Sequence, residues 1–414
     1  MSGHPRVYIG PDAVNELIAF CRANGHTHLA LIADDNTYRA LGARVETACR
    51  QVELDVRTVI VKGDDIGADD GAVYQVLLGL DKSPRTFLAV GSGTITDVTR
   101  FVSHRSNADF ISVPTAPSVD GFTSIGAPMI VNGVKVTIMA QGPLAVFADL
   151  PTLCAAPAAM LAAGFGDMIA KLTSIADWEL GHLFWDEPYD PAIAARARKA
   201  AWDCARSVDA LAARECAGVE RLIDGLIESG LCMLDFGETR PASGYEHHVS
   251  HYLEMKLLWE GRHSVLHGAK VGLGVLTSAR LYDQIRRLDR ADVVERLEAA
   301  ELPPAAEEIA RIEAAYGPQA DDIIALHAPF IHMTQSQFAA LKARILEQWP
   351  AAQEIAARVP SADEVTDWLN KVGGATTPAQ LGLSDEETAT ARAVGHYYRN
   401  RFSVKKLARI LDLS

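Results

Sequence analysis

Thr86-Phe87-Leu88-Ala89-Val90-Gly91-Ser92-Gly93-Thr94-Ile95-Thr96-Asp97 is the stretch that decides the fold. Thr86 to Val90 is a short β-type apolar run. Two glycines follow, and then a pattern that opens a helix. A strand passing through a glycine turn into a helix is the repeating unit of a parallel sheet covered on both faces. The same unit recurs on either side. His28-Leu29-Ala30-Leu31-Ile32-Ala33 reads as a buried strand, with Asp34-Asp35-Asn36-Thr37 as turn and helix cap. Val56 to Val61 reads as a second strand and Phe110-Ile111-Ser112-Val113 as a fourth, with patterned helices between them. Ligands on such sheets bind beyond the carboxyl ends of the strands.

Two segments occupy that position. Gly91, Gly93, Thr94, Ile95, Thr96 and Asp97 follow the third strand. Glycines there let the backbone approach a diphosphate, and a helix N-terminus supplies N–H donors and a positive dipole end. The spacing is not GxGxxG, so an ordinary glycine turn fits the string as well. Pro114 to Ser124 follows the fourth strand and sets Thr115, Ser118 and Ser124 around the single carboxylate of Asp120. It reads as a ligand loop or as a rigid cap. Met129 to Met139 reads as a hairpin turning at Asn132-Gly133.

Near Asp149-Leu150-Pro151-Thr152 the texture changes to Ala- and Leu-rich helical periodicity. The expected division is an α/β domain over 1–150 and an all-α domain over 151–414. Arg286 to Ala315 reads as a solvated helical face. The helical part carries a histidine cluster, Glu246-His247-His248-Val249-Ser250-His251, and then Leu266-His267-Gly268. On a helix, His247 and His251 project from one face, one turn apart, while His248 points off it. His263 shares a face with His267. Two helices each offering a histidine chelate a divalent metal if a third ligand arrives from elsewhere; unrelated core histidines fit the spacing too. Asp167, in Gly164-Phe165-Gly166-Asp167, is expected at the start of an apolar helix, as a cap or as a functional carboxylate. The small Ala162-Ala163-Gly164 before it permits close approach to another backbone. Arg240, just before Pro241, is an anion clamp or an ordinary ion-pair arginine.

The net charge is −14 and 49% of the residues are hydrophobic, which excludes a dedicated nucleic-acid binder and a disordered chain. An anionic substrate needs a local cluster of cations working against the global field. Six cysteines are scattered with no CxxC pair, so free thiols in a reducing compartment are expected. No signal-peptide pattern and no apolar run of membrane-span length stand out, and a cytoplasmic protein is expected.

The strings GSGTITD (91–97), PTAPSVDGFTS (114–124), GFGDMIAK (164–171), RPASGYEHHVSH (240–251) and LHGAKVG (266–272) occur together and in this order. From about residue 25 to 275 the chain thereby resembles the sn-glycerol-1-phosphate dehydrogenase family. That family is a branch of the superfamily of glycerol dehydrogenase, iron-dependent alcohol dehydrogenases and dehydroquinate synthase. Tyr398-Arg399-Asn400-Arg401-Phe402-Ser403-Val404 also resembles the family's ending. The resemblance implies a dehydroquinate synthase-like fold: an α/β nucleotide-binding domain with a parallel sheet, an all-α metal-binding domain, and a cleft between them.

It further implies roles. Gly91, Gly93, Thr94, Ile95, Thr96 and Asp97, with Thr115, Ser118 and Ser124, would hold NAD or NADP. Asp167, His247 and His267 would hold one divalent metal, zinc or alternatively nickel. Asp120 and His251 would meet the substrate and serve catalysis, with Asp167 also at the substrate. Arg240 and Lys135 would anchor a phosphate. The implied reaction is NAD(P)H-dependent reduction of dihydroxyacetone phosphate to sn-glycerol 1-phosphate. Alternatives on the same scaffold are a dehydrogenase of glycerol, another polyol or another sugar phosphate, and a dehydroquinate synthase-like lyase or cyclase. A catalytically dead binding protein is a third. Asp34 and Asp35 end the first strand, where an acid disfavours a 2′-phosphate, yet NAD and NADP both stay open. The implied partner is a small phosphorylated triose, and a homodimer or larger homo-oligomer is expected.

Overall fold

The computed structural model describes residues 3–131 and 134–413. Six strands form one parallel sheet: β1 (Arg6–Gly10), β2 (His28–Asp34), β3 (Asp55–Val61), β4 (Thr86–Gly91), β5 (Phe110–Pro114) and β8 (Ala145–Asp149), in the order β1-β8-β5-β4-β2-β3. The interior strands are apolar throughout because both faces are covered. Leu29, Leu31, Leu88 and Val90 enter one core, and Ala30, Ile32, Phe87 and Ala89 enter the other. The sequence reading found four of these strands and missed β1 and β8. β1 is a half-exposed edge strand of five residues, and β8 runs straight into a helix. From β2 the chain winds outward to β3 and returns to β4 on the other side of β2. Such a switch point opens a crevice at the strands' carboxyl ends.

β6 (Gly126–Val131) and β7 (Val134–Met139) pair antiparallel as a separate ribbon. The expected turn at Asn132-Gly133 lies outside the described residues. Every described strand precedes Leu150, and only helices follow. Three of these, Ala158–Ile169, Tyr245–Trp259 and His267–Arg287, carry the expected metal ligands.

The structure corrects several expectations. Asp167 lies in the last turn of its helix, not at a start, because the apolar pattern already begins at Ala158. Helical backbone from Ala158 to Trp185 is long and apolar enough to cross a membrane, contrary to the reading that no run reaches that length. Yet 83% of its most apolar window is buried in the molecule, so it serves as a core helix. Cys154 and Cys216 are joined as a disulfide with Cα atoms 5.6 Å apart, so the expectation of six free thiols fails. They lie 62 residues apart, and spacing alone gave no sign of the pairing. Cys21, Cys49, Cys204 and Cys232 are free and buried. In the 286–315 region Val293, Leu297, Ile312 and Glu308 are buried, so only part of that surface is solvated.

The small residues predicted to allow close approach do so. A Cβ on Gly164 would strike the Pro117 carbonyl, and one on Gly268 would strike that of Ala163. The hydroxyl-rich loop, the Asp167 helix and the His267 helix are thereby pressed backbone to backbone, and this draws three distant segments around one point.

Candidate functional site

A cleft of about 310 Å³ runs between the carboxyl end of the sheet and the helical part. Ser92, Gly93, Thr94 and Asp97 line it on the sheet side, with Ser118, Asp120 and Ser124 from the next loop. His247, His251, Glu254 and His267 line it on the helical side, and Lys135 and Arg399 reach it from β7 and from near the C-terminus. A wider groove of about 670 Å³ at the opposite ends of the strands contains none of these residues.

Asp167, His247 and His267 each bring one donor atom to within 4.8 Å of the other two. The histidine rings are 5.5 Å apart, and His247 Nε2 stands 3.3 Å from Asp167 Oδ1. Glu246 sets the orientation of His247: its Oε1 lies 2.8 Å from Nδ1, so that the other nitrogen faces Asp167. Glu246 is itself held by the Gly244 N–H (2.6 Å) and the Thr173 hydroxyl (2.9 Å). Burial opposes a charged His247, as does the nearby Lys171, but Asp167 and Glu246 outweigh both and raise its pKa. Burial lowers the pKa of His267. This set of one carboxylate and two imidazoles, backed by a hydrogen-bonded carboxylate, suits a borderline divalent ion. His251, Glu254 and His267 form a second trio that shares His267. In that trio Glu254 already carries Lys135 at 2.6 Å.

Lys171 completes the floor of the site and received no role from the sequence. It is fully buried, and its three ammonium donors meet Asp120 Oδ2 (2.9 Å), Asp167 Oδ1 (3.0 Å) and the Ala242 carbonyl (3.1 Å). Burial disfavours the charge, but Asp120 and Asp167 more than offset it and raise the lysine's pKa. Asp120 also accepts from the Ser229 hydroxyl (2.9 Å), and its N–H donates to Asp167 Oδ2 (3.0 Å). One lysine thus couples the loop carboxylate to the helix carboxylate.

Other expected residues fall elsewhere. Arg240 does not line the cleft; its guanidinium pairs with Glu187 and, at 2.8 Å, with Glu238. Gly91, Ile95, Thr96 and Thr115 do not line it either. Ile95 and Thr96 point into the core, and a Cβ on Gly91 would press on Ile95 at 2.5 Å, so that glycine serves packing. The Thr115 N–H bonds the Gly91 carbonyl at 3.2 Å and supports the turn from behind. Asp97 pairs with Arg100 at 2.8 Å, yet burial pushes its carboxyl up to about 7. His248 is buried beside the Tyr398 ring, and His263 is exposed. Asp34 is spent on capping, accepting from Asn36 and Thr37, and Asp35 pairs with Lys62.

Over 403 residues the chain is 36% identical to a glycerol-1-phosphate dehydrogenase [NAD(P)+] of Geobacillus thermodenitrificans, covering 96% of this chain and 91% of that relative. The chain belongs to the glycerol-1-phosphate dehydrogenase family. A relative of the same name from Bacillus velezensis is 40% identical over 400 residues, 96% of this chain and 89% of its own. Residues 8–157 match the model of the iron-containing alcohol dehydrogenase family. A solved 1,3-propanediol oxidoreductase shares the fold with a TM-score of 0.65 at 13% identity, covering all of this chain and 99% of its own. As a family member the chain is an NAD(P)-linked oxidoreductase.

Beside Lys171, three residues of the site went unassigned in the sequence. Glu246 was visible as the neighbour of His247, and Glu254 as the residue three beyond His251 on the same helix. Arg399 sat within a string noticed only for its resemblance.

Proposed function

We propose that this chain reduces dihydroxyacetone phosphate to sn-glycerol 1-phosphate with NADH or NADPH. Asp167, His247 and His267 hold one divalent metal, zinc or nickel, and the Ser92–Asp97 turn with Ser118 and Ser124 holds the dinucleotide. The observation that carries this reading is a single cleft lined by His247, His267 and the Gly93 helix terminus, with a buried Asp167 oxygen within 4.8 Å of both imidazoles, in a chain matched over 96% of its length by glycerol-1-phosphate dehydrogenases. When bound, the metal supplies Lewis-acid polarisation at the substrate carbonyl and the nicotinamide supplies hydride.

The chain's own residues supply the rest. Glu246 fixes the tautomer of His247. Lys171 holds Asp120 and Asp167 in place and offsets part of their charge; two carboxylates against one ammonium still leave a net negative charge to face a metal cation. With one oxygen committed to Lys171 and Ser229, Asp120 keeps the other to accept from a substrate hydroxyl. His251, its ring 5.4 Å from that of His267, is kept neutral chiefly by burial, so it would donate a hydrogen bond to the C2 oxygen and relay to it a proton drawn from water. Division of labour follows the change of texture at Asp149-Leu150, with 1–150 serving the cofactor and, through Asp120, part of the substrate, and 151–414 the metal and the rest of the substrate. Exposed Tyr74, Leu77 and Leu78 on the helix Asp70–Gly79 support a homo-oligomer.

The test is a spectrophotometric assay with dihydroxyacetone phosphate and NADH or NADPH, followed by chiral analysis of the product. Steady cofactor oxidation with sn-glycerol 1-phosphate formed is the expected result. Activity confined to glycerol would favour a polyol dehydrogenase, and no net cofactor oxidation would favour a lyase or cyclase.

A further inference from the structure

A phosphorylated triose is doubly charged, and this chain carries a net charge of −14, so the cleft must present a cation that its own carboxylates do not already hold. The candidates are few. Lys171 is walled in by Asp120, Asp167 and the Ala242 carbonyl. Arg240 is taken by Glu187 and Glu238 and stands off the cleft. Lys135 lines the cleft but is held by Glu254 at 2.6 Å.

Arg399 differs from all three. It lines the cleft and has no carboxylate partner among the described residues. Among the described residues its guanidinium makes one hydrogen bond, from Nη2 to the Thr137 hydroxyl at 3.3 Å. The guanidinium carbon lies 4.6 Å from the centroid of the Tyr398 ring, which fixes the plane of the fork. The Tyr398 ring lies 4.9 Å from that of His251, so the arginine is set beside the imidazoles. That placement suits a triose phosphate, whose phosphorus is only three bonds from C2. The segment is itself anchored. Arg401 donates to the Ser243 carbonyl and, at 3.1 Å, to the Thr239 hydroxyl, and the Val404 N–H donates to the buried Asp177 at 2.8 Å.

We propose that Arg399 is the phosphate anchor of the substrate and the residue that selects a phosphorylated triose over a free one. Its planar fork matches a phosphate bidentately where a lysine offers a point charge. The proposal rests on the substrate reading above, and the experiment separates the two. Kinetics of the wild type, Arg399→Ala and Arg399→Lys are measured with dihydroxyacetone phosphate, with unphosphorylated dihydroxyacetone and with NAD(P)H varied. Inhibition by inorganic phosphate is measured against whichever triose is accepted, and thermal melts check folding.

In Arg399→Ala, KM for dihydroxyacetone phosphate should rise on the order of 100-fold, and inhibition by phosphate should weaken in parallel. KM for NAD(P)H and turnover of dihydroxyacetone should stay as in the wild type. Arg399→Lys should recover part of the loss. An unchanged KM for dihydroxyacetone phosphate in a folded Arg399→Ala overturns the role of Arg399 alone. A rise confined to KM for NAD(P)H overturns it as well, placing the arginine on the dinucleotide. A wild type that takes only dihydroxyacetone refutes the substrate reading. If phosphate also fails to inhibit that wild type, the anchor is refuted with it.

Discussion

Lys171 shows how much of the site depends on one buried charge. Its ammonium touches both carboxylates, and it opens the helix Lys171–Trp185, four residues beyond Asp167. Removing one partner from a buried ionic cluster leaves uncompensated charge in a low-dielectric interior, at a cost of about 3–5 kcal/mol. Lys171→Met should therefore lower the unfolding free energy by about that amount in urea titrations. An unchanged midpoint would mean that the two carboxylates are solvated or protonated without the lysine. The histidines and Asp167 were legible in the sequence because strings of several residues carried them. The roles of Lys171 and Arg399 were not, because each depends on segments far away in the chain. Arg240 is an anchor candidate in the sequence and Arg399 is not, and only the fold shows Glu187 paired with the first and, among the described residues, no carboxylate paired with the second.

At the scale of elements the strands were the most legible part. β2, β4 and β5 are largely apolar runs and β3 alternates, with Val56, Val59 and Val61 buried and Arg57 exposed; the observed limits of all four lie within a residue of those expected. β1 escaped notice because it is a short, half-exposed edge. Asp167 was placed at the wrong end of its helix because the glycines before it resemble a helix start. The glycines are there for close packing. Gly268 opens the His267 helix and leaves no room for a Cβ against Ala163. Gly268→Ala should push the two helices apart and cost about 1–3 kcal/mol. It should also weaken metal binding, measured by titration with zinc, since His267 adjoins the displaced residue. Wild-type affinity and stability together would show that the contact is not needed to assemble the site.

The whole molecule joins a sheet whose cleft is lined from the segments after β4 and β5 to a helical body that closes over it, and Arg399 runs back to the cleft from near the C-terminus. Stability of the helical body depends on buried ion pairs as well as on its apolar core. Glu308 is buried and bonded by both Arg409 nitrogens (2.7 and 2.9 Å) and by the Tyr397 hydroxyl (2.6 Å). Burial raises its pKa, but Arg409 and Tyr397 outweigh burial and hold it below the ordinary value. A depressed carboxylate contributes stability that is full above its unfolded pKa of about 4.3 and is lost as pH falls through the native value. Glu308→Gln should lower stability at neutral pH and flatten the decline on the acid side in urea melts taken across pH. Parallel curves for the two proteins would remove Glu308 from the account.

The central claim is that Asp167, His247 and His267 jointly hold a divalent metal on which reduction of dihydroxyacetone phosphate depends. Its most direct measurement is metal content and NAD(P)H-linked turnover on the same preparation of Asp167→Asn, beside the wild type. Folded protein that has lost both the metal and the turnover is the predicted result. Full metal occupancy with wild-type turnover would contradict the claim.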